Sequence, residues 1–314
     1  MRALYQAGYG QQILTVLDSR DNPVFFNIQR DKMLNWQEVI QGKITQYNET
    51  LRGYFIETSK KLPVFVPTMK KFSQGETVFI QITKEARLGK EATGRIWVQD
   101  TKESIPPIGC DLSSDIVIET DVDNKTDLLL EEALNRCVLF ADGAELHIER
   151  TQSCWTIDID SGTSHLTLAD INKQACIIIY QQIRLKNLSG VILIDFAGYK
   201  DFQERQDLFH SMKETFVSDN RSTLYGFTKT RLFELKRQRT TASLEDLFLM
   251  PNGKKNPHGL VPIIMRQILS SGNGKLLLKI HPSLLAVLPS NIYAYCSVET
   301  DLNVPEDYYE LKGK

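Results

Sequence analysis

The sequence predicts an α/β fold with a small β-barrel in its first third. Two observations predict it. Five short runs rich in β-branched and aromatic residues lie between turn residues at Gly42–Tyr47, Gly53–Glu57, Val64–Pro67, Glu76–Thr83 and Thr93–Val98. That spacing is expected of a five-stranded barrel of the OB type. From Val138 onward, period-two runs alternate with apolar residues at helical spacing, the pattern of mixed α/β architecture.

Bulk properties frame this reading. At 314 residues the chain has room for two or three domains with a buried core. Apolar content of 42% and charged content of 24% sit near globular averages and exclude disordered and fibrous classes. A net charge of −2 offers no global attraction to nucleic acid, so affinity for a polyanion must rest on local basic patches. The start, MRALYQAGYG, lacks the apolar run of a secretory signal, and no stretch approaches a membrane span. A cytoplasmic location is expected. Cys110, Cys137, Cys154, Cys176 and Cys296 are scattered, with no CxxC and no Cys/His cluster at zinc-ligand spacing. Reduced thiols packed as small apolar groups are expected, and no zinc.

Ile13 to Asp18 and Val24 to Gln29 read as a hairpin turned at SRDN. The barrel segment from Trp36 to Trp97 holds ten Lys/Arg against six Asp/Glu, a local +4. ESIPPIG, with two prolines, reads as a linker. Charge then reverses: Asp111 to Glu132 carries eight acidic residues and one lysine, a solvated face that repels polyanions. Glu145 to Glu149 and Cys154 to Asp160 alternate as strands. Ile171 to Leu185 is expected as a helix, and Val191 to Ile194 as a strand covered on both faces. Phe202 to Val217 reads as a helix, Ser222 to Phe227 as a strand and Leu232 to Arg239 as another helix. The tail predicts a helix at Ile263 to Ser270, a GNGK turn, a strand at Lys275 to Ile280 and a short helix at Ser283 to Leu288.

The sharpest local pattern is TIDIDSG. On a strand, Asp158 and Asp160 face one side while Ile157 and Ile159 pack on the other. Adjacent carboxylates repel unless protons or a cation neutralise them, and a hard ion such as Mg²⁺ suits such a pair. Asp195 ends the run VILI, at the carboxyl end of a strand, where open α/β sheets place their sites. If both strands share a sheet, Asp158, Asp160 and Asp195 converge on one ion able to activate water and offset phosphodiester charge. Lys229, Arg231, Lys236, Arg237 and Arg239 follow, with Glu234 opposing them, and their charge fits a polyanion substrate.

The blocks TIDIDSG, Asn172 within a helix, QQIRLKNLSGVILIDF and DNRSTLYGFTKTRLFELKRQR resemble the catalytic core of the ribonuclease E/G family in order, character and spacing. The strand VLFADGAELHIERTQSCW before them fits the same pattern. More loosely, GKITQYNETLRGYFIE, KLPVFVP and GETVFIQITKEARLGKEA resemble the family's S1 domain. The resemblance implies an α/β fold: an RNase H-like subdomain (1–35 and 99–150) interrupted by an S1 barrel (36–98), then a DNase I-like catalytic subdomain (151–250) and a C-terminal extension (251–314). It implies endonucleolytic cleavage of single-stranded RNA with Mg²⁺, or Mn²⁺, held by Asp158 and Asp195. Asp160 orients water or adds a ligand, and Asn172 supports the site. Phe55, Phe65, Lys84 and Lys90 fall on the barrel's RNA-gripping positions, and Arg184, Lys229 and Arg231 are candidate phosphate contacts. A role in RNA processing or decay, such as rRNA maturation, follows.

Three departures qualify the expected activity. Asp160 stands where the family has Asn, adding a carboxylate beside the ion. The segment after the barrel leaves no room for the family's 5′-sensor domain, so a 5′-monophosphate is not expected to stimulate. The family's CPxC zinc-link is absent after SLEDLF, so oligomerisation through zinc is not expected. The alternative is an inactive RNA-binding protein or RNA chaperone that keeps the fold.

Overall fold

The computed structural model describes residues 1–8, 10–87, 90–98, 102–105, 116–123, 125–199, 201–250, 252–272 and 276–313. Contacts divide the chain into two units. One holds Met1–Asp21, Phe26–Leu129 and Leu244–Lys314, and the other Asn22–Phe25 and Leu130–Ser243.

β1 (Arg2–Gly8), β2 (Gln11–Leu17) and β3 (Pro23–Arg30) lie side by side, with β2 between the other two. The hairpin expected around SRDN is the β2–β3 pair. β1 was not expected from the sequence; it pairs antiparallel with β2 across the short turn at Gly10.

The next five strands close a barrel: β4 (Val39–Asn48), β5 (Gly53–Thr58), β6 (Pro63–Pro67), β7 (Thr77–Lys84) and β8 (Ala92–Ile96), in the order β4-β5-β6-β8-β7. This closed five-stranded barrel is consistent with the OB type. Ile40, Ile44, Tyr54, Ile56, Val64, Val66, Ile80 and Ile82 fill its interior.

β9 (Val117–Thr120) then runs parallel to β1 as an edge strand, and α1 (Lys125–Ala133) follows. The acidic segment is therefore part strand and part helix. Residues 111–115, and the prolines of the expected linker, lie outside the described residues.

A six-stranded sheet comes next. Its elements are β10 (Cys137–Phe140), β11 (Ala144–Arg150), β12 (Cys154–Asp160), α2 (Leu168–Leu185), β13 (Gly190–Asp195), α3 (Phe202–Thr215), β14 (Ser222–Phe227) and β15 (Phe233–Arg237). The order is β10-β11-β12-β13-β15-β14. β12 and β13 are parallel because α2 carries the chain back between them. Ile171, Ala175, Ile179 and Ile183 line one side of α2 and meet Ile157, Ile159, Ile192 and Ile194 in the core.

Two expectations are corrected here. The segment from Leu232 is a strand rather than a helix. Phe233, Leu235 and Arg237 are buried in alternation with Glu234 and Lys236, and β15 bonds to both β13 and β14. β13 is not covered on both faces: Ile192 and Ile194 are buried, while Val191 and Leu193 are half-buried.

The chain ends in a small module. α4 (Leu244–Phe248) and α5 (Pro257–Ser270) lead to β16 (Leu276–Ile280), flanked by parallel β17 (Cys296–Thr300) and antiparallel β18 (Tyr309–Gly313). Short 3-10 helices span Pro282–Val287, at the place of the short helix expected from Ser283 to Leu288, and Ser290–Ala294. Leu260, Ile264, Met265, Leu278, Ile280 and Ile292 form its own apolar core. The expected GNGK turn falls largely outside the described residues. Among the described residues, no helix is long and apolar enough to cross a membrane.

Candidate functional site

The six-stranded sheet buries one face and leaves the other open, and the open face carries Asp158, Asp160 and Asp195. Along β12, Trp155, Ile157 and Ile159 are buried while Asp158 and Asp160 are exposed. The parallel register sets Asp158 directly beside Asp195. Neighbouring strands lie about 4.8 Å apart, and paired positions share a face, so the two carboxylates are adjacent. Neither is hydrogen-bonded or ion-paired among the described residues. Two exposed, uncompensated carboxylates at strand spacing are chemically suited to a hard divalent cation, whose oxygen ligands sit about 2.0–2.1 Å from the ion.

Asp160 is placed differently. It lies two residues farther along β12, about 6.6 Å on, beyond the end of β13, and opposite Glu145 rather than Asp195. Its carboxylate accepts a bond from the Gly162 amide at 2.8 Å, which shapes the turn leaving the strand. Gly162 has φ +51 and sits against the Gly143 carbonyl, where a Cβ has no room. Thr163 donates its amide to that same carbonyl at 3.1 Å, and the Ser164 hydroxyl donates to the Ala141 carbonyl at 2.6 Å. The loop after Asp160 is thus fastened to the β10–β11 turn.

Asn172 is buried in the first turns of α2, and its Nδ2 donates to the Ala197 carbonyl at 2.5 Å. Ala197 is two residues past Asp195, so the helix holds the loop that leaves the second aspartate.

The β14–β15 loop carries Lys229 and Arg231. Because Ile194 pairs with Phe233, this loop lies at the same end of the sheet as Asp195. Arg231 has φ +72, its guanidinium stands 5.9 Å from the centre of the Tyr199 ring, and the Tyr199 hydroxyl donates to its carbonyl at 3.2 Å. Both cations are exposed.

Arg184 is not brought to the aspartates. It occupies the last turn of α2, at the opposite end of a helix about 27 Å long from the loop that follows Asp160. There it donates to the Tyr180 hydroxyl at 2.9 Å. Arg237, counted in the basic run, is also corrected: it is buried, and its Nε donates to Asp219 at 2.8 Å. Its Nη1 reaches the Asn187 side chain at 3.0 Å and the Leu188 carbonyl at 3.1 Å. This arginine stabilises the far end of the sheet. Burial raises the Asp219 carboxyl, but Arg237 and further hydrogen bonds outweigh that, leaving it below the usual range.

One cluster escaped the sequence reading. Among the described residues, Cys137, Glu145 and His147 bring ligand atoms within 4.8 Å of one another. No Cys/His spacing along the sequence marks it, because residues ten apart become cross-strand neighbours only on the hairpin. The turn dipeptide Asp142-Gly143 was the signal that could have revealed it.

On the barrel, Phe55 and Phe65 are cross-strand partners with ring centres 5.3 Å apart. Both are half-buried on the outer face, while Tyr54, Ile56, Val64 and Val66 point inward, so neither ring belongs to the core. Gly53 gives the Phe65 ring its seat, since a Cβ there would stand 2.6 Å from Phe65 Cζ. Phe65 pairs with Thr93, and Thr93 with exposed Lys84, so one row crosses four strands. Lys90 is exposed just before β8 and bridges by its backbone to Arg87.

The sequence model of the Ribonuclease E/G family matches residues 93–240, which takes in both aspartate strands and begins after most of the barrel. Ribonuclease G of Escherichia coli (strain K12) is 33% identical over 132 residues, 40% of this chain and 26% of that relative. Ribonuclease G of Haemophilus influenzae is 33% identical over 123 residues, 37% and 25% of the two chains. Ribonuclease E of Synechocystis sp. is 30% identical over 129 residues, 39% and 19%. The match therefore spans about a quarter or less of these relatives' length. Residues 93–240, a little under half of the chain, are thus similar to the ribonuclease E/G family.

Proposed function

We propose that the chain is a divalent-metal-dependent endoribonuclease acting on single-stranded RNA, with Asp158 and Asp195 as the ligands of Mg²⁺ or Mn²⁺. The observation that carries this reading is the in-register pairing of two exposed, unpartnered aspartates at the carboxyl end of parallel strands. When bound, the ion supplies an activated water and offsets negative charge on the scissile phosphate. Asp160 is set one step beyond the pair, where it orients water more readily than it shares the ion. Asn172 is a positioning residue, through Ala197. Lys229 and Arg231 meet the phosphates flanking the cut, and Arg184 meets RNA farther along. The barrel, in the role of an S1 domain, holds bases on Phe55 and Phe65 while Lys84 and Lys90 follow the backbone. The domain reading in which an RNase H-like subdomain carries the barrel, ahead of a DNase I-like catalytic subdomain, belongs to the same proposal. So do action in the cytoplasm, where the free cysteines stay reduced, and a role in RNA processing such as rRNA maturation.

The test is cleavage of an AU-rich single-stranded oligonucleotide with Mg²⁺, comparing the unmodified chain with Asp158→Asn and Asp195→Asn. Each substitution is expected to slow cleavage on the order of 10²-fold or more. Equal cutting by all three proteins refutes the assignment. Tight RNA binding that survives EDTA, with no cleavage under any divalent ion, supports the second reading, an RNA chaperone. Asp160 motivates that reading, as an added carboxylate where the family resemblance implies Asn.

A further inference from the structure

We propose that Cys137, Glu145 and His147 form a binding site for a divalent transition metal of the zinc class. This site goes beyond the nuclease reading and does not depend on it. The three side chains combine thiolate, carboxylate and imidazole, a donor set that favours zinc-class ions over magnesium or calcium. Their ligand atoms already converge: Glu145 Oε2 lies 3.8 Å from Cys137 Sγ and 2.9 Å from His147 Nε2. A tetrahedral zinc with bonds of about 2.0–2.3 Å separates its ligands by about 3.3–3.8 Å. The thiol and carboxylate stand at that spacing, and the imidazole needs to open by roughly 0.5 Å.

The backbone pre-sets this arrangement. The Ile148 amide donates to the Arg136 carbonyl at 2.8 Å, which makes Cys137 and His147 the neighbouring non-hydrogen-bonded pair. Pairs of that kind bring side chains closest, with Cα atoms about 4.5 Å apart. Glu145 is two residues from His147, on the same face. A tight turn with positive φ at Ala141, Asp142 and Gly143 joins the two strands, so all three ligands sit on one rigid hairpin. In the metal-free protein, desolvation and then the Glu145 carboxylate push the Cys137 thiol up, so the thiol is protonated. Capture of the ion forms the metal–sulfur bond and releases that proton to solvent. Cys137 is exposed on an edge strand, which leaves the fourth position to water.

The experiment is a titration of the metal-free, full-length chain with Co²⁺ and then Zn²⁺, with millimolar Mg²⁺ present throughout. Near-ultraviolet absorption reports the cobalt–thiolate bond, and competition gives the zinc affinity. One equivalent of metal is expected to produce the charge-transfer band. Loss of an outer hydrogen-bond partner alone costs a metal site about 10–100-fold, so Cys137→Ser and His147→Gln are expected to weaken zinc by about 100-fold or more. Cys137→Ser is also expected to abolish the band. Cys154→Ser, which alters another accessible thiol, is expected to change neither reading, and far-ultraviolet circular dichroism confirms that each variant is folded. A folded Cys137→Ser protein that keeps both band and affinity overturns the proposal. So does absence of a band in the unmodified chain, and neither result touches the test of Asp158 and Asp195.

Discussion

Replacing Phe55 or Phe65 with alanine should weaken single-stranded RNA binding without unfolding the barrel. The expectation follows from where the rings stand: half-buried on the outer face, while Tyr54, Ile56, Val64 and Val66 fill the interior. Stacking a base on an aromatic ring is worth about 1–3 kcal/mol, which converts to about 5- to 140-fold in Kd at 1.4 kcal/mol per tenfold. Because the rings touch, with centres 5.3 Å apart, the double variant should lose less than the sum of the singles. The cost to folding is mainly their mutual contact, about 0.5–1.5 kcal/mol. Tyr54→Ala supplies the contrast, since removing a buried aromatic costs about 3–5 kcal/mol. Fluorescence anisotropy with a labelled single-stranded RNA at fixed salt measures affinity, and thermal unfolding runs in parallel. Affinity within twofold of the unmodified chain for both single variants and the double would refute the reasoning. Loss of binding that tracks loss of folding in the Phe variants would refute it equally.

Two further outcomes test the sheet. Arg237→Met should destabilise it by about 3–5 kcal/mol, because it leaves Asp219 buried without its counter-charge. Calorimetry should show the drop, and Arg237→Met with Asp219→Leu should recover much of it. The pH dependence has a definite sign. The Asp219 carboxyl is held below its unfolded value near 3.8, so the stabilisation is present above that pH and fades as acid lowers the pH through the folded value. Arg237→Met should remove that acid limb. Gly162→Ala should displace the loop after Asp160, since its Cβ meets the Gly143 carbonyl and φ there is +51. A cost of about 1–3 kcal/mol and a matching fall in cleavage are expected, and unchanged unfolding and activity would show that the turn tolerates a side chain.

Much of this was legible from local pattern. Alternation in TIDID and VILID placed Asp158 and Asp195 on strand faces because the side-chain period of a strand is two. Ile171 through Ile183 marked α2 because its apolar spacing closes one helical face. The barrel strands were legible because turn residues bracket each short run. Other features were not. FELKR reads as strand or helix when taken alone, and hydrogen bonds from β13 and β14 decide the matter. Arg237 looks like its basic neighbours until the fold buries it against Asp219.

The chain's own order of residues determined which side chains share a strand or a helix face, and with it the family likeness of residues 93–240. Tertiary structure alone decided which strands adjoin. The Asp158–Asp195 pairing, the outward setting of Phe55 and Phe65 and the meeting of Cys137 with His147 are all matters of register. Register arises from long-range pairing and from the burial of one sheet face, so no local window of sequence contains it.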